Sequence, residues 1–546
     1  MSWGSAIKKS AATPKTGRAK VLANDAGWAF SPTIAQHKVD WKHLVVLDYE
    51  SFWDMDYTLS KMSTSEYVRD PRFRAHMVGI KIGTGKTRVI PHEKISAELR
   101  KIDWKTHDLL CHNTAFDGFI LSHHEGIVPR IYYDTLSMAR GLFSNDIGAS
   151  LGEVGDYLGL GGKIEDVLID SKGVHTLSKP LYTRMSKYCA RDVDLCLDIF
   201  KKMLVMTPES EIKLIHLTVK MFADPVLKVN IPRVEKELAR ELAAREALLM
   251  SIDVSGYDDK KLKLAERSLP EHEKRLLKAK KIVGSSDQFS ALITALGVEV
   301  PVKLSPAWMK LDKVNREINI EKKWAPAFAK DDADFIELPA RILGEGLPGY
   351  NRNKTKDIEK LARIAERMQQ LIDVRLAVKS TTNITRAQRF LTAGANGMLL
   401  PVGYAYARAH TLRWGGNNKM NMQNLKRGGE LRQAIEAPPG HVLSVVDSGQ
   451  IECRVNGWLW DQDDLMQDFR NADGDPEAKV YRDAYCNFGD LIYGKTVTKA
   501  DKMERFVGKV AVLGLGFQMG AEKFQGTLAK GALGGPPVFF PLDKCK

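Results

Sequence analysis

Cysteine is scarce in this chain, and the few present are scattered. The six residues at 111, 189, 196, 453, 486 and 545 form no Cys-x-x-Cys pair. That argues against a zinc ribbon or a disulfide scaffold and for buried thiols in a reducing, cytoplasmic setting. Cys189 and Cys196 lie seven apart on an expected helix, but no second pair completes a zinc site. Long apolar runs are missing as well. No stretch reaches about 18 residues, so no membrane span and no membrane partner are expected. Internal repeats and long low-complexity tracts are absent, which excludes a solenoid. The first 36 residues lack the apolar core of a signal peptide. They are polar and basic, and residues 1–42 read as a flexible basic arm. Acidic residues are the minority charge. The 81 Lys and Arg against 68 Asp and Glu leave a formal net charge of +13, which favours a polyanionic partner.

What is present points to several domains, because 546 residues exceed one ordinary core. Residues 43–200 alternate short apolar strands (His43–Leu47, Met77–Ile82, Leu109–Cys111) with helical patterns such as Tyr182–Leu204, and so read as α/β. Helical periodicity then dominates in Glu209–Phe222, Pro232–Ser251, Lys356–Ala377 and Ile384–Thr392. Ser286–Leu296 is a shorter helix that Asp287 or Ser286 could cap, and 299–352 reads as irregular. Strand signals return after 400, with the apolar run His441–Val446 ending on Asp447, and Lys502–Leu513 is helical.

Four carboxylates stand out. Leu44-Val-Val-Leu-Asp48-Tyr-Glu50 ends a strand with two acids two residues apart, hence on one face. Acids so placed repel unless a cation lies between them, and a divalent metal supplies it. Asn113-Thr-Ala-Phe-Asp117 adds a third acid after another apolar strand. Tyr188-Cys-Ala-Arg-Asp192 adds a hydroxyl and a fourth acid at i and i+4, which share a helix face. Two-metal phosphodiester hydrolysis needs such a set: ligands for paired ions about 4 Å apart, and a group to orient water.

These motifs, in this order, resemble the proofreading 3′→5′ exonuclease domain of bacteriophage-type family A (DNA polymerase I-like) DNA polymerases. The stretch Thr58–Phe73 resembles phage polymerases too. The resemblance implies that Asp48, Glu50, Asp117 and Asp192 hold two Mg²⁺ ions, with Mn²⁺ an alternative, and that Tyr188 orients water. Asp134, in Tyr132-Tyr-Asp-Thr-Leu, is expected to be structural.

The resemblance continues downstream. His410-Thr-Leu-Arg413-Trp and Asn421-Met-Gln423-Asn424-Leu are similar to the family's primer-template contact region, which makes Arg413, Asn421, Gln423 and Asn424 candidate DNA contacts. Val445-Val-Asp447-Ser-Gly-Gln450-Ile-Glu452 resembles polymerase motif A. By that likeness Asp447, at a strand end, holds catalytic metal, and Gln450 and Glu452 lie near the incoming nucleotide. Arg505-Phe-Val-Gly-Lys509 followed by Leu513 and Phe517 resembles motif B. Spaced by four, these residues form a helix stripe whose cations can grip phosphates and whose ring can stack on a base. Where the family usually carries an aromatic residue four after the motif B lysine, this chain has Leu513. Where tyrosine is usual, it has Phe517.

The family's motif C, a His-Asp hairpin supplying a second palm ligand, does not follow motif B. The one His-Asp pair, His107-Asp108, lies inside the exonuclease segment. The expectation is therefore a split or truncated polymerase needing a second polypeptide that carries motif C. The implied organisation is a ribonuclease H-like mixed-sheet exonuclease domain over 43–206, a helical thumb and connecting region over 207–398, and an α+β partial palm and fingers over 399–546. The implied activity is a DNA-directed DNA polymerase, a nucleotidyltransferase acting on primer-template DNA and deoxynucleoside triphosphates, with 3′→5′ exodeoxyribonuclease proofreading in the (host) cytoplasm. The alternatives are a stand-alone 3′→5′ exonuclease with a non-polymerising DNA-binding extension, and a non-catalytic DNA clamp.

Overall fold

A computed structural model describes residues 37–143, 146–162, 167–330, 332–474, 482–531, 535 and 537–546. Of the expected basic arm, residues 1–36 lie outside the described residues. The chain divides into two compact units, one extending to Val442 and one from Leu443 to Lys546.

The first unit opens with a five-stranded mixed sheet: β1 (Leu44–Ser51), β2 (Ala75–Ile82), β3 (Arg88–Pro91), β4 (Asp108–Cys111) and β5 (Tyr132–Asp134), in the order β3-β2-β1-β4-β5. The first three strands pair antiparallel, and β1, β4 and β5 run parallel. β1 is therefore hydrogen-bonded along both edges. Its odd and even residues feed two cores. Val45, Leu47 and Tyr49 pack with Phe119, Ile120 and Phe222 from helices α2 (Thr114–Glu125) and α5 (Glu209–Ala223). Leu44 and Val46 pack with Val193, Cys196 and Phe200 from α4 (Lys179–Leu204). Strand alternation thus explains how one apolar run serves both faces of the sheet. Two further helices of this part of the chain are α1 (Thr64–Arg69) and α3 (Thr135–Phe143).

The segment Thr58–Phe73 acts as a latch within this unit. Arg69, at the end of α1, donates to the carbonyls of Ala393 (2.8 Å) and Leu399 (2.9 Å). Asn418, nearly buried, exchanges hydrogen bonds with the Ser65 backbone N–H (3.2 Å) and Oγ (3.0 Å).

Helices follow: α6 (Ile231–Met250), α7 (Glu271–Gly284), α8 (Ser286–Ala295), α9 (Thr355–Lys379) and α10 (Thr382–Gly394). Two sequence expectations need correction. Ser285 caps α8 through its Oγ, one residue before the candidates Ser286 and Asp287. Segment 299–352 is also not irregular. It carries a hairpin of β6 (Val302–Leu304) and β7 (Trp324–Pro326) and several short helices. Proline and glycine there divide the periodicity into pieces too short to read. Buried Arg375 ties α9 to α8 and to this segment: it donates to the Ser285 carbonyl (3.1 Å) and lies over the Phe289 ring of α8 and the Phe328 ring of the segment.

The regular elements of the second unit's described residues are all helices: α11 (Ile451–Leu459), α12 (Asp463–Gly474), α13 (Ala484–Tyr493), α14 (Lys502–Gly516), α15 (Ala521–Ala529) and α16 (Leu542–Cys545). The expected strand before Asp447 is absent. Residues 441–448 have no regular structure, and Val445 and Val446 are 80% and 91% exposed. A strand is held by ladder hydrogen bonds to a neighbour, and no strand of this unit's described residues stands beside the run.

Candidate metal centre

Asp48 and Glu50 leave β1 on the face that carries Leu44 and Val46, toward α4. Helix α4 buries Met185, Tyr188, Cys189, Asp192, Val193 and Cys196, a stripe at 3.6-residue spacing. That stripe brings Tyr188 and Asp192 to the sheet. Gly79 on β2 pairs with Asp48 and makes the approach close enough. A Cβ at Gly79 would stand 2.8 Å from both Cys189 Sγ and Val193 Cγ2.

The carboxylates of Asp48 and Glu50 and the thiol of Cys189 offer ligand atoms that all lie within 4.8 Å of one another. Cys189 was not among the expected site residues. The signal was present, because it sits between Tyr188 and Asp192 on the same turn, but cysteine suggested zinc chemistry and had no partner cysteine. Its thiol donates to the Asp48 carbonyl at 3.5 Å. Burial, then the charges of Asp48 and Glu50, push its pKa well up. It is therefore a neutral neighbour, and Mg²⁺ prefers oxygen ligands.

Asp117 enters from the opposite layer. Asn113, with φ of 73°, turns the chain from β4 into α2, and asparagine tolerates that left-handed conformation. One turn on, Asp117 Oδ1 accepts the Tyr49 backbone N–H at 3.0 Å. This bond fixes Asp117 beside the Asp48–Glu50 strand end. Burial, then the Asp48 charge, pushes the Asp117 carboxyl well above the ordinary carboxylate range. Asp117 and Asp192 are both buried and lie outside the 4.8 Å group. Asp134 has the structural task expected of it: it accepts the backbone N–H groups of Asn113 (2.8 Å), Thr114 (3.0 Å) and Ser137 (3.1 Å).

A divalent cation suits this donor set. Buried, mutually repelling acids stay ionised together only if positive charge is supplied. Tyr188 is buried in an apolar cluster with Met77, Met185 and Cys189.

The expected DNA contacts lie in a region of local side-chain hydrogen bonds. Asn421 accepts the Gln423 backbone N–H (2.9 Å), and the Gln423 amide donates to the Trp414 carbonyl (2.9 Å). Both amides thus help shape a turn. Asn421 still lines a cleft of about 400 Å³ with Thr381, Thr382, Thr385, Arg386 and Arg389. Arg386 also donates to the Asn424 carbonyl. Arg413 is exposed.

In the second unit, Asp447 is exposed on the irregular run. Gln450 caps α11 at φ of 58°, and Glu452 lies in the first turn of that helix. Arg505 on α14 pairs with Asp483 (Nε to Oδ2, 3.1 Å). Lys509 and Leu513 follow it along the helix, half-buried. Phe517 falls just past the last helical residue and is 72% exposed. The expected four-residue stripe therefore ends at Leu513 as a helical feature.

Among known proteins, no family model matches this chain, and no curated protein matches it. A solved structure that does is the polymerase domain of Pol1 from M. smegmatis in complex with DNA primer-template and dNTP. The identity is 14% and the TM-score 0.44, over 89% of this chain and 69% of that one. No helix among the described residues is long and apolar enough to cross a membrane.

Proposed function

We propose that the first unit carries a metal-dependent 3′→5′ exonuclease acting on DNA, within a chain of phage-type family A polymerase character. The observation that supports this most is the convergence at one strand end: Asp48 and Glu50 from β1, Asp117 held through the Tyr49 N–H, and Asp192 from the buried stripe of α4. Asp48, Glu50, Asp117 and Asp192 would hold paired Mg²⁺ or Mn²⁺. When bound, these ions would activate water and stabilise the leaving 3′-oxygen. The chain's own residues do the rest. β1 fixes two acids at strand spacing, and Tyr49 pins Asp117 by its backbone. Tyr188 orients the attacking water. Attack at phosphorus breaks the bond to the 3′-oxygen of the penultimate nucleotide and releases a 5′-mononucleotide.

The polymerase half of the reading assigns metal binding to Asp447, nucleotide contacts to Gln450, Glu452, Arg505, Lys509, Leu513 and Phe517, and primer-template contacts to Arg413, Asn421, Gln423 and Asn424. A second polypeptide carrying motif C would complete it. Two observations favour the alternative, an exonuclease whose second unit only binds DNA: Arg505 is already engaged by Asp483, and Asp447 lies on an irregular run. Primer extension with deoxynucleoside triphosphates, with and without a motif C polypeptide, separates the two. For the exonuclease, a 5′-labelled single strand in Mg²⁺ should shorten to a ladder, and EDTA should stop it. A strand left intact by the wild-type chain would end the proposal.

A further inference from the structure

The hairpin β6–β7 and the short helices between its strands form an exposed aromatic and cationic face far along the chain from the carboxylates. Trp324 is 56% exposed. Lys323 Nζ lies 5.5 Å from the Trp324 ring centroid and 5.8 Å from that of Trp308. The Arg316 guanidinium stands 5.3 Å from the Trp308 ring centroid, and Trp308 Nε1 donates to the Arg316 carbonyl at 3.1 Å. The Trp308 indole is therefore held in place, and Lys323 bridges it to the exposed Trp324. Lys303 anchors the hairpin base through both oxygens of Asp332, at 2.7 Å each. Between residues 302 and 326 the sequence carries six Lys or Arg (303, 310, 313, 316, 322, 323) against three Asp or Glu (312, 317, 321).

A single exposed indole is ordinary; an exposed indole bracketed by cations offers a specific surface. The cations beside it specify what its occupant is: a flat apolar ring attached to negative charge. Single-stranded nucleic acid presents such a combination, because unpaired bases stack on aromatic faces while their phosphates meet Lys and Arg. A paired duplex hides its base faces, and a neutral protein segment has no use for the cations. We propose that the Trp308–Lys323–Trp324 face binds single-stranded DNA, Trp324 stacking on an unpaired base and Lys323 and Arg316 meeting the neighbouring phosphates. This site is separate from the carboxylate centre and does not depend on its chemistry.

The test uses the full chain carrying Asp48→Ala, in EDTA, so that the probe stays intact. A dozen-residue oligothymidylate with 5-iodouracil substitutions is crosslinked by light, and the modified peptide is mapped. A fluorescent version is titrated by anisotropy at two salt concentrations. Crosslinking should fall on the peptide containing Trp324. Trp324→Ala should remove that crosslink and weaken the salt-sensitive binding about tenfold, and Lys323→Glu should act in the same direction. Leu343→Ala, at an exposed apolar residue elsewhere on the unit, should change neither. Crosslinks confined to other peptides, with anisotropy unmoved by Trp324→Ala, would overturn the proposal. So would equal competition by polyglutamate, which would mark the face as one for an acidic protein segment. The wild-type chain is assayed in parallel for degradation of a trinucleotide in Mg²⁺. Failure of the exonuclease and failure of this face are thereby separately visible.

Discussion

Two apolar runs of almost the same composition lead to a carboxylate in this chain, and they end in opposite environments. Leu44-Val-Val-Leu precedes Asp48, and Leu443-Ser-Val-Val precedes Asp447. The first is a strand paired to β2 and β4, with Val45 fully buried and one core on each face. The second has no regular structure and exposes both its valines. Intrinsic preference is nearly identical in the two, so the difference lies in the neighbours. β-propensity measures the fit to a pleated, half-buried surface more than any private choice of the residue. A carboxylate inherits its chemistry from the same source. Around Asp48 the acids are gathered and desolvated, whereas Asp447 remains in water.

The largest effect that would sharpen this comparison is catalytic. If Asp192 holds metal as proposed, Asp192→Asn should lower the 3′→5′ degradation rate on the order of a thousandfold, the loss of several kcal/mol of transition-state stabilisation. Circular dichroism of the variant should be unchanged. Next comes packing. Leu47→Ala should destabilise the first unit by about 2–5 kcal/mol in denaturant titration, whereas Val446→Ala should stay within about 0.5 kcal/mol. Equal effects at the two positions would break the comparison. Gly79→Ala should cost about 1–3 kcal/mol and also slow degradation, because the new methyl must push Cys189 and Val193, and with them α4, away from Asp48.

The smallest effect concerns pH. Burial, then the charges of Arg74, His92 and His175, lower the His76 pKa from 6.5 to about 4. The folded form therefore holds His76 neutral while the unfolded chain takes up a proton below about 6.5. The contribution is fully present above that pH and is lost as pH falls toward 4. His76→Gln should flatten the fall in denaturation midpoint over that window, and an unchanged slope would exclude this assignment.

Much of the frame was legible in the sequence because it rests on local pattern. β1 and α4 announce themselves by alternation and by 3.6-residue spacing, and the spacing of Asp48 to Glu50 follows from the same rule. The paired acids were visible as a set because strand and helix periodicity each place two residues on one face. What was not legible depends on contacts between distant segments. Nothing local marks Gly79 as the opening through which α4 approaches. The Tyr49 N–H that holds Asp117 is a backbone group and leaves no trace in residue identity. The hairpin within 299–352 was hidden because three-residue strands carry too few alternations. The run before Asp447 misled for the reverse reason, having the pattern of a strand without a neighbour to pair with.

The most direct test compares the two carboxylates on one substrate. A 5′-labelled single-stranded oligonucleotide is incubated in Mg²⁺ with the wild-type chain, with Asp48→Ala and with Asp447→Ala. The wild type and Asp447→Ala should give a shortening ladder at equal rates, and Asp48→Ala should leave the strand intact. Undiminished shortening by Asp48→Ala, or its loss only in Asp447→Ala, would contradict the assignment of hydrolysis to the β1 carboxylates.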